Sequence, residues 1–122
     1  MDPSKTRAIL RAKRSAAARR KHLETYLEFL SDLVVTTIDD CTELDWEEDR
    51  DYISKKLSGL EALLLQAMEG ARTGGDGGVS VSVHAVLRGA PEDAHTIPLE
   101  AAIASLVHQL WYSEAYYRAF RA

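Results

Sequence analysis

The residues of this chain best suited to chemistry are its cations. Arg7, Arg11, Arg14 and Lys21 recur at spacings of four, three and seven. On a helix that spacing sets them on one side, in a row roughly 21 Å long at ~1.5 Å per residue. A row of guanidinium groups can hold phosphate oxygens bidentately, and arginine outnumbers lysine here, which favours planar anions over mere solubility. Arg19 and Arg20 lie in the same segment and flank its apolar side. The predicted contact set for nucleic acid or an acidic partner is therefore Arg7, Arg11, Arg14, Arg19, Arg20 and Lys21. Contact would be to the backbone and not to base edges, because no helix-turn-helix, zinc-finger spacing or ribonucleoprotein aromatic motif is visible. The plainer readings are a solvated face, or docking on the acidic segment of another copy. A membrane surface suits the helix poorly, since alanines rather than Leu, Phe or Trp oppose the charges.

Other groups could do chemistry but lack its usual arrangement. Glu24 with Glu28, and Glu47 with Asp51, are pairs at four-residue spacing. If the fold brought the pairs together, four carboxylates could hold magnesium, as a metal-dependent, all-helical nucleotide hydrolase requires. This is the third-ranked reading. His84 and His95 could approach across a hairpin, yet a zinc site needs further ligands. Cys41 sits beside acids that raise a thiol pKa, so it does not read as a nucleophile. The segment Gly74-Gly75-Asp76-Gly77-Gly78 lacks the Lys-Ser/Thr ending of a phosphate loop and reads as a flexible linker. No catalytic residue, cofactor or metal ligand is predicted.

Charge is strongly polarised along the chain. Residues 1–21 hold eight Lys/Arg and one acid, a net +7, while the other 101 of the 122 residues hold seven Lys/Arg and eighteen acids, a net −11. Eight of those acids fall within residues 39–51, against one arginine. A basic end and an acidic middle predict an anionic partner or a second copy of the chain.

The elements that must position these groups are mostly helices. Asp2-Pro3 is a helix start, and nothing breaks a helix from Lys5 to about Ile38. Leu23, Tyr26, Leu27, Leu30, Leu33 and Val34 form its apolar face, which Ala8, Ala12 and Ala16 extend backwards and where a second helix could approach closely. A second helix, 46–72, carries Trp46, Ile53, Leu57, Leu60, Leu64, Ala67 and Ala71 at near-heptad spacing. Asp45 and Glu48 resemble its capping box. After the glycines the period becomes two: Val79, Val81, Val83, Ala85 and Leu87 predict a half-buried strand, with a return strand near 94–97. Pro98 opens a last helix, 98–121, with Leu99, Ile103, Leu106, Leu110, Tyr117 and Phe120 on its apolar face.

The prediction is a single domain over 1–122 of α+β class, predominantly α: a long antiparallel helical hairpin, a small β-hairpin and a C-terminal helix. An isolated hairpin is marginal in water, so Val81 and Val83 could serve a second subunit. The four aromatics Trp111, Tyr112, Tyr116 and Tyr117 cannot all face one way on a helix, and Trp111, Tyr112 and Tyr116 are candidate interface anchors. The leading expectation is a non-enzymatic, homo-oligomeric assembly protein that contacts nucleic acid, with a virus or phage particle as a compatible setting. The alternative is an adaptor or chaperone-like module that binds another protein, including another assembly protein, through a strand edge or helical groove. One cysteine, no apolar leader and no membrane-length segment predict a chain that is cytoplasmic, nuclear or held within a virus particle, and not secreted.

Overall fold

The computed structural model describes residues 2–83 and 95–121. In chain order the elements are α1 (Pro3–Glu43), α2 (Arg50–Thr73), β1 (Ser80–Ser82), β2 (Thr96–Pro98), α3 (Leu99–Trp111) and α4 (Glu114–Phe120). The fold is predominantly α with a two-stranded antiparallel sheet, as the periodicities predict.

Helix α1 begins where the sequence caps it. The Asp2 carboxylate accepts the Ser4 N–H at 3.0 Å, and Pro3 takes the first helical position, where a missing N–H costs nothing. The helix then runs 41 residues, five beyond its predicted end. The acids Asp39 and Asp40 suggested a stop, but Cys41 lies seven residues after Val34 on the same face and is buried. That burial outweighs the unfavourable acids at a helix C-terminus.

The predicted seam of α2 is its buried face: Ile53, Leu57, Leu60, Leu64 and Ala71 all point inward. They meet Leu23, Leu27, Leu30 and Val34 of α1 and Leu99, Ile103, Leu106 and Leu110 of α3 in one core cluster. The seam is thus consumed by the chain's own helices. The predicted capping box belongs elsewhere. Asp45 Oδ1 accepts from the N–H groups of Glu47 and Glu48, at 2.9 and 3.2 Å, and caps a separate turn. Helix α2 starts only after Asp49, so Trp46 packs from that turn.

Two elements depart from the expected boundaries. The segment 74–78 is a tied turn and not a flexible linker. Asp76 and Gly77 donate their N–H groups to the Ala71 carbonyl at 2.9 and 2.8 Å, closing the end of α2. Gly75 takes φ +83°, which glycine adopts without strain. The C-terminal helix is two helices. The Ser113 hydroxyl donates to the Leu110 carbonyl at 2.7 Å and accepts the Tyr116 N–H at 3.2 Å, so it ends α3 and caps α4. The break resets the helical phase. Ala115, Tyr116 and Ala119 then face the core, and Tyr117 and Phe120 turn out to solvent.

The strands pair within the chain, with Val81 opposite Ile97. The predicted residues Ala85 and Leu87, and the start of the return strand at Ala94, lie outside the described residues. The hairpin is held by packing: Val81 is fully buried, and the Ser82 N–H donates to a carboxylate oxygen of Glu24 on α1 at 3.1 Å.

Helices α2, α3 and α4 are joined by one acid. Glu61 Oε2 accepts from Trp111 Nε1 at 2.9 Å and from the Tyr116 hydroxyl at 2.6 Å. Glu61→Ala leaves both donors without this acceptor and should cost roughly 1–3 kcal/mol in urea unfolding. Glu61→Gln, which keeps an acceptor, should lose less. Equal losses for the two variants would show that these hydrogen bonds contribute nothing.

Candidate functional site

The N-terminal half of α1 projects, and Arg19 near its root meets the body at Asp76. Every side chain from Arg7 to His22 is exposed, and the first buried residue of α1 is Leu23. The packed half of α1 belongs to the body, and the preceding half is a helical arm about 30 Å long. Helix-forming composition supports it: Ala8, Ala12, Ala16, Ala17 and Ala18 alternate with Arg and Lys, and Arg20 Nε donates to Glu24 Oε1 at 2.7 Å across one turn.

The arm carries the predicted cations in two groups. Arg19 and Arg20 are engaged within the chain. Arg19 forms an ion pair and hydrogen bonds with Asp76 in the glycine turn, and this contact raises its pKa. Arg20 pairs with Glu24. Arg7, Arg11, Arg14 and Lys21 make no ion pair among the described residues and remain as an exposed row on the side opposite the alanines. Nothing in the sequence pattern near Asp76 flagged its role. Its place beside Arg19 follows from the tied turn, which a linker reading hides.

The acidic segment 39–51 lies at the far end of α1, roughly 50 Å from Arg7 along the helix. The arm therefore cannot fold its cations onto that segment in its own chain. The two carboxylate pairs of the metal reading are also apart. Glu24 is held by Arg20 and Ser82 near the root of the arm, whereas Glu47 and Asp51 flank the start of α2. Among the described residues no group of three or more His, Cys, Asp or Glu converges on a metal position. His84 lies outside the described residues.

The predicted interface residues divide as well. The Val81 side chain is spent in the chain's own core, and Val83 is half-buried with its N–H donated to the His95 carbonyl at 3.0 Å. Trp111 and Tyr116 are tied to Glu61. Tyr112, at the break between α3 and α4, is 80% exposed and remains available.

Cys41 is buried, and its thiol is pushed up by burial first and by Asp40 second, with Lys56 opposing. Tyr116 is raised chiefly by its hydrogen bond to Glu61. Both groups stay neutral in the fold, so the stability they confer is complete below their ordinary values and is lost as pH rises through the raised ones. Unfolding free energy should therefore fall above the ordinary thiol value of 9.0. A thiol reagent at neutral pH should label Cys41 at least ~100-fold more slowly than in urea. Equal rates would contradict the burial.

No protein-family model, curated protein or solved structure matches this chain. Among the described residues no helix is long and apolar enough to cross a membrane.

Proposed function

We propose that this chain is a non-enzymatic assembly protein whose projecting arm binds the phosphate backbone of nucleic acid. The observation that carries this reading is the exposed row Arg7, Arg11, Arg14 and Lys21, which makes no ion pair among the described residues. Arg19 and Arg72, by contrast, are each held by an acid, Asp76 and Glu100. Four cations in one exposed row, on the half of α1 that precedes its first buried residue, suit a polyanion that can lie alongside them. A row of roughly 21 Å spans several phosphates, and it offers no base-reading geometry. Binding is thus expected to be strong at low salt, indifferent to sequence and steeply weakened by salt.

The strand-edge form of the adaptor reading is less well supported. The β1 edge gives its Ser82 N–H to Glu24 and buries Val81, which leaves little main chain for an added strand. Fluorescence anisotropy of labelled mixed-sequence duplexes, followed through a salt titration, tests the proposal. An affinity that does not fall as salt rises rejects it.

A further inference from the structure

The free cations of the arm reach further round the helix than the row alone. At about 100° per residue, Lys13, Lys21, Arg14, Arg7 and Arg11 follow one another over an arc of roughly 160° on α1. The row fills about half of that arc, and Lys13 stands alone at the other edge. Like the row, Lys13 is exposed and makes no ion pair among the described residues. The arc points away from Leu23, Leu27, Leu30 and Val34, the core side of the same helix. Between Lys13 and the row lie Thr6, Leu10 and Ala17. The Thr6 hydroxyl donates to the Asp2 carbonyl at 3.3 Å, and Leu10 and Ala17 carry no hydrogen-bonding group. Leu10 is nonetheless 47% exposed among these cations.

One line of phosphates does not serve such an arc. The centre of the row and Lys13 lie roughly 115° apart round the helix, so a single strand or one backbone of a duplex meets one of them and misses the other. The major groove of B-form DNA offers two backbones. It is about 12 Å wide, and an α-helix with its side chains is about 10–12 Å across. A helix seated there has the phosphates of one strand on each flank and base edges below. Leu10 and Ala17 then face the floor, where they cannot read a base by hydrogen bonding, so binding stays indifferent to sequence. The arm enters as it stands, because its helix is propagated from the packed half of α1 and needs no new nucleus. The major groove of an A-form RNA duplex is deep and too narrow for side chains to read.

We propose that the arm lies in the major groove of B-form duplex DNA, with Arg7, Arg11, Arg14 and Lys21 on the phosphates of one strand and Lys13 on those of the other. This rests on the phosphate-binding reading and narrows it to one form of nucleic acid.

In anisotropy titrations the full chain should bind a DNA duplex at least about tenfold more tightly than an RNA duplex of the same sequence. Contact with phosphates alone would not separate the two. Methyl green, a cation of the major groove, should displace the chain from the DNA duplex, and netropsin, a cation of the minor groove, should not. Lys13→Gln should weaken DNA binding at least about threefold, whereas Lys5→Gln, on the alanine side, should change it less than about twofold. Both variants replace exposed residues, so helical circular dichroism should be unchanged. Equal binding to the two duplexes, displacement by netropsin and not by methyl green, or equal effects of the two lysine variants would overturn the groove assignment and leave phosphate binding standing. No binding to either duplex would overturn both.

Discussion

Leu106→Ala is expected to destabilise the body by about 2–5 kcal/mol, the usual cost of a buried leucine truncation that leaves a cavity. Leu106 is fully buried, on the face of α3 that packs into the common core with α1 and α2. A chain of 122 residues has a total stability on the order of 5–15 kcal/mol, so the loss is a large fraction. The melting temperature should fall by roughly 8–20 °C, at about 4 °C per kcal/mol for a chain of this size. Leu10→Ala is the matched control. Leu10 is 47% exposed on the arm, away from the alanine side, and its truncation should change stability by less than about 0.5 kcal/mol. Calorimetry on the two variants therefore tests the division of the chain into a packed body and a projecting arm. Similar losses at both positions would mean that the arm is part of the core.

The second large effect falls on binding. Replacing Arg7, Arg11, Arg14 and Lys21 together by glutamine removes about four phosphate contacts. Counterion release of ~0.9 ions per contact gives a loss of roughly 4,000-fold in affinity at about 0.1 M salt relative to the native chain. Fold should be unaffected, since no ion pair among the described residues is broken. Arg19→Gln and Arg20→Gln should weaken binding less, because Asp76 and Glu24 already hold those cations. Anisotropy on the set separates the outward row from the paired arginines. A quadruple variant that binds like the native chain would place the contact elsewhere.

Much of the fold was legible because burial has a period. The leucines of α1 and α2 recur at three and four, and these are the residues that the core contains. Three features were not legible, each for a physical reason. The stop after Trp111 depends on one serine hydroxyl that serves two backbone groups, and an apolar periodicity that continues through Tyr117 and Phe120 conceals it. The extension of α1 to Glu43 rests on a single buried thiol among acids. The glycine segment looks like a linker in composition, and its order comes from hydrogen bonds to the Ala71 carbonyl.

The site was legible in part. The spacing of Arg7, Arg11, Arg14 and Lys21 showed one side of a helix, and the structure adds that the helix stands clear of the body. The sequence could not separate these four from Arg19 and Arg20, because the partners of the latter depend on tertiary placement or on rotamer choice. Two arguments for an oligomer also changed. The heptad-like seam of α2 and the strand at Val81 are both satisfied within the chain. Among the described residues the alanine side of the arm stays exposed, and so does Tyr112, whose ring lies edge-on to His108.

The central claim is that the arm binds nucleic acid through its phosphates. The most direct test is the salt dependence of native-chain binding to mixed-sequence duplexes, plotted as the logarithm of the association constant against the logarithm of salt concentration. About four contacts predict a line of slope roughly −3.6, unchanged between duplex sequences. A slope near zero, or no binding at low salt, would contradict it.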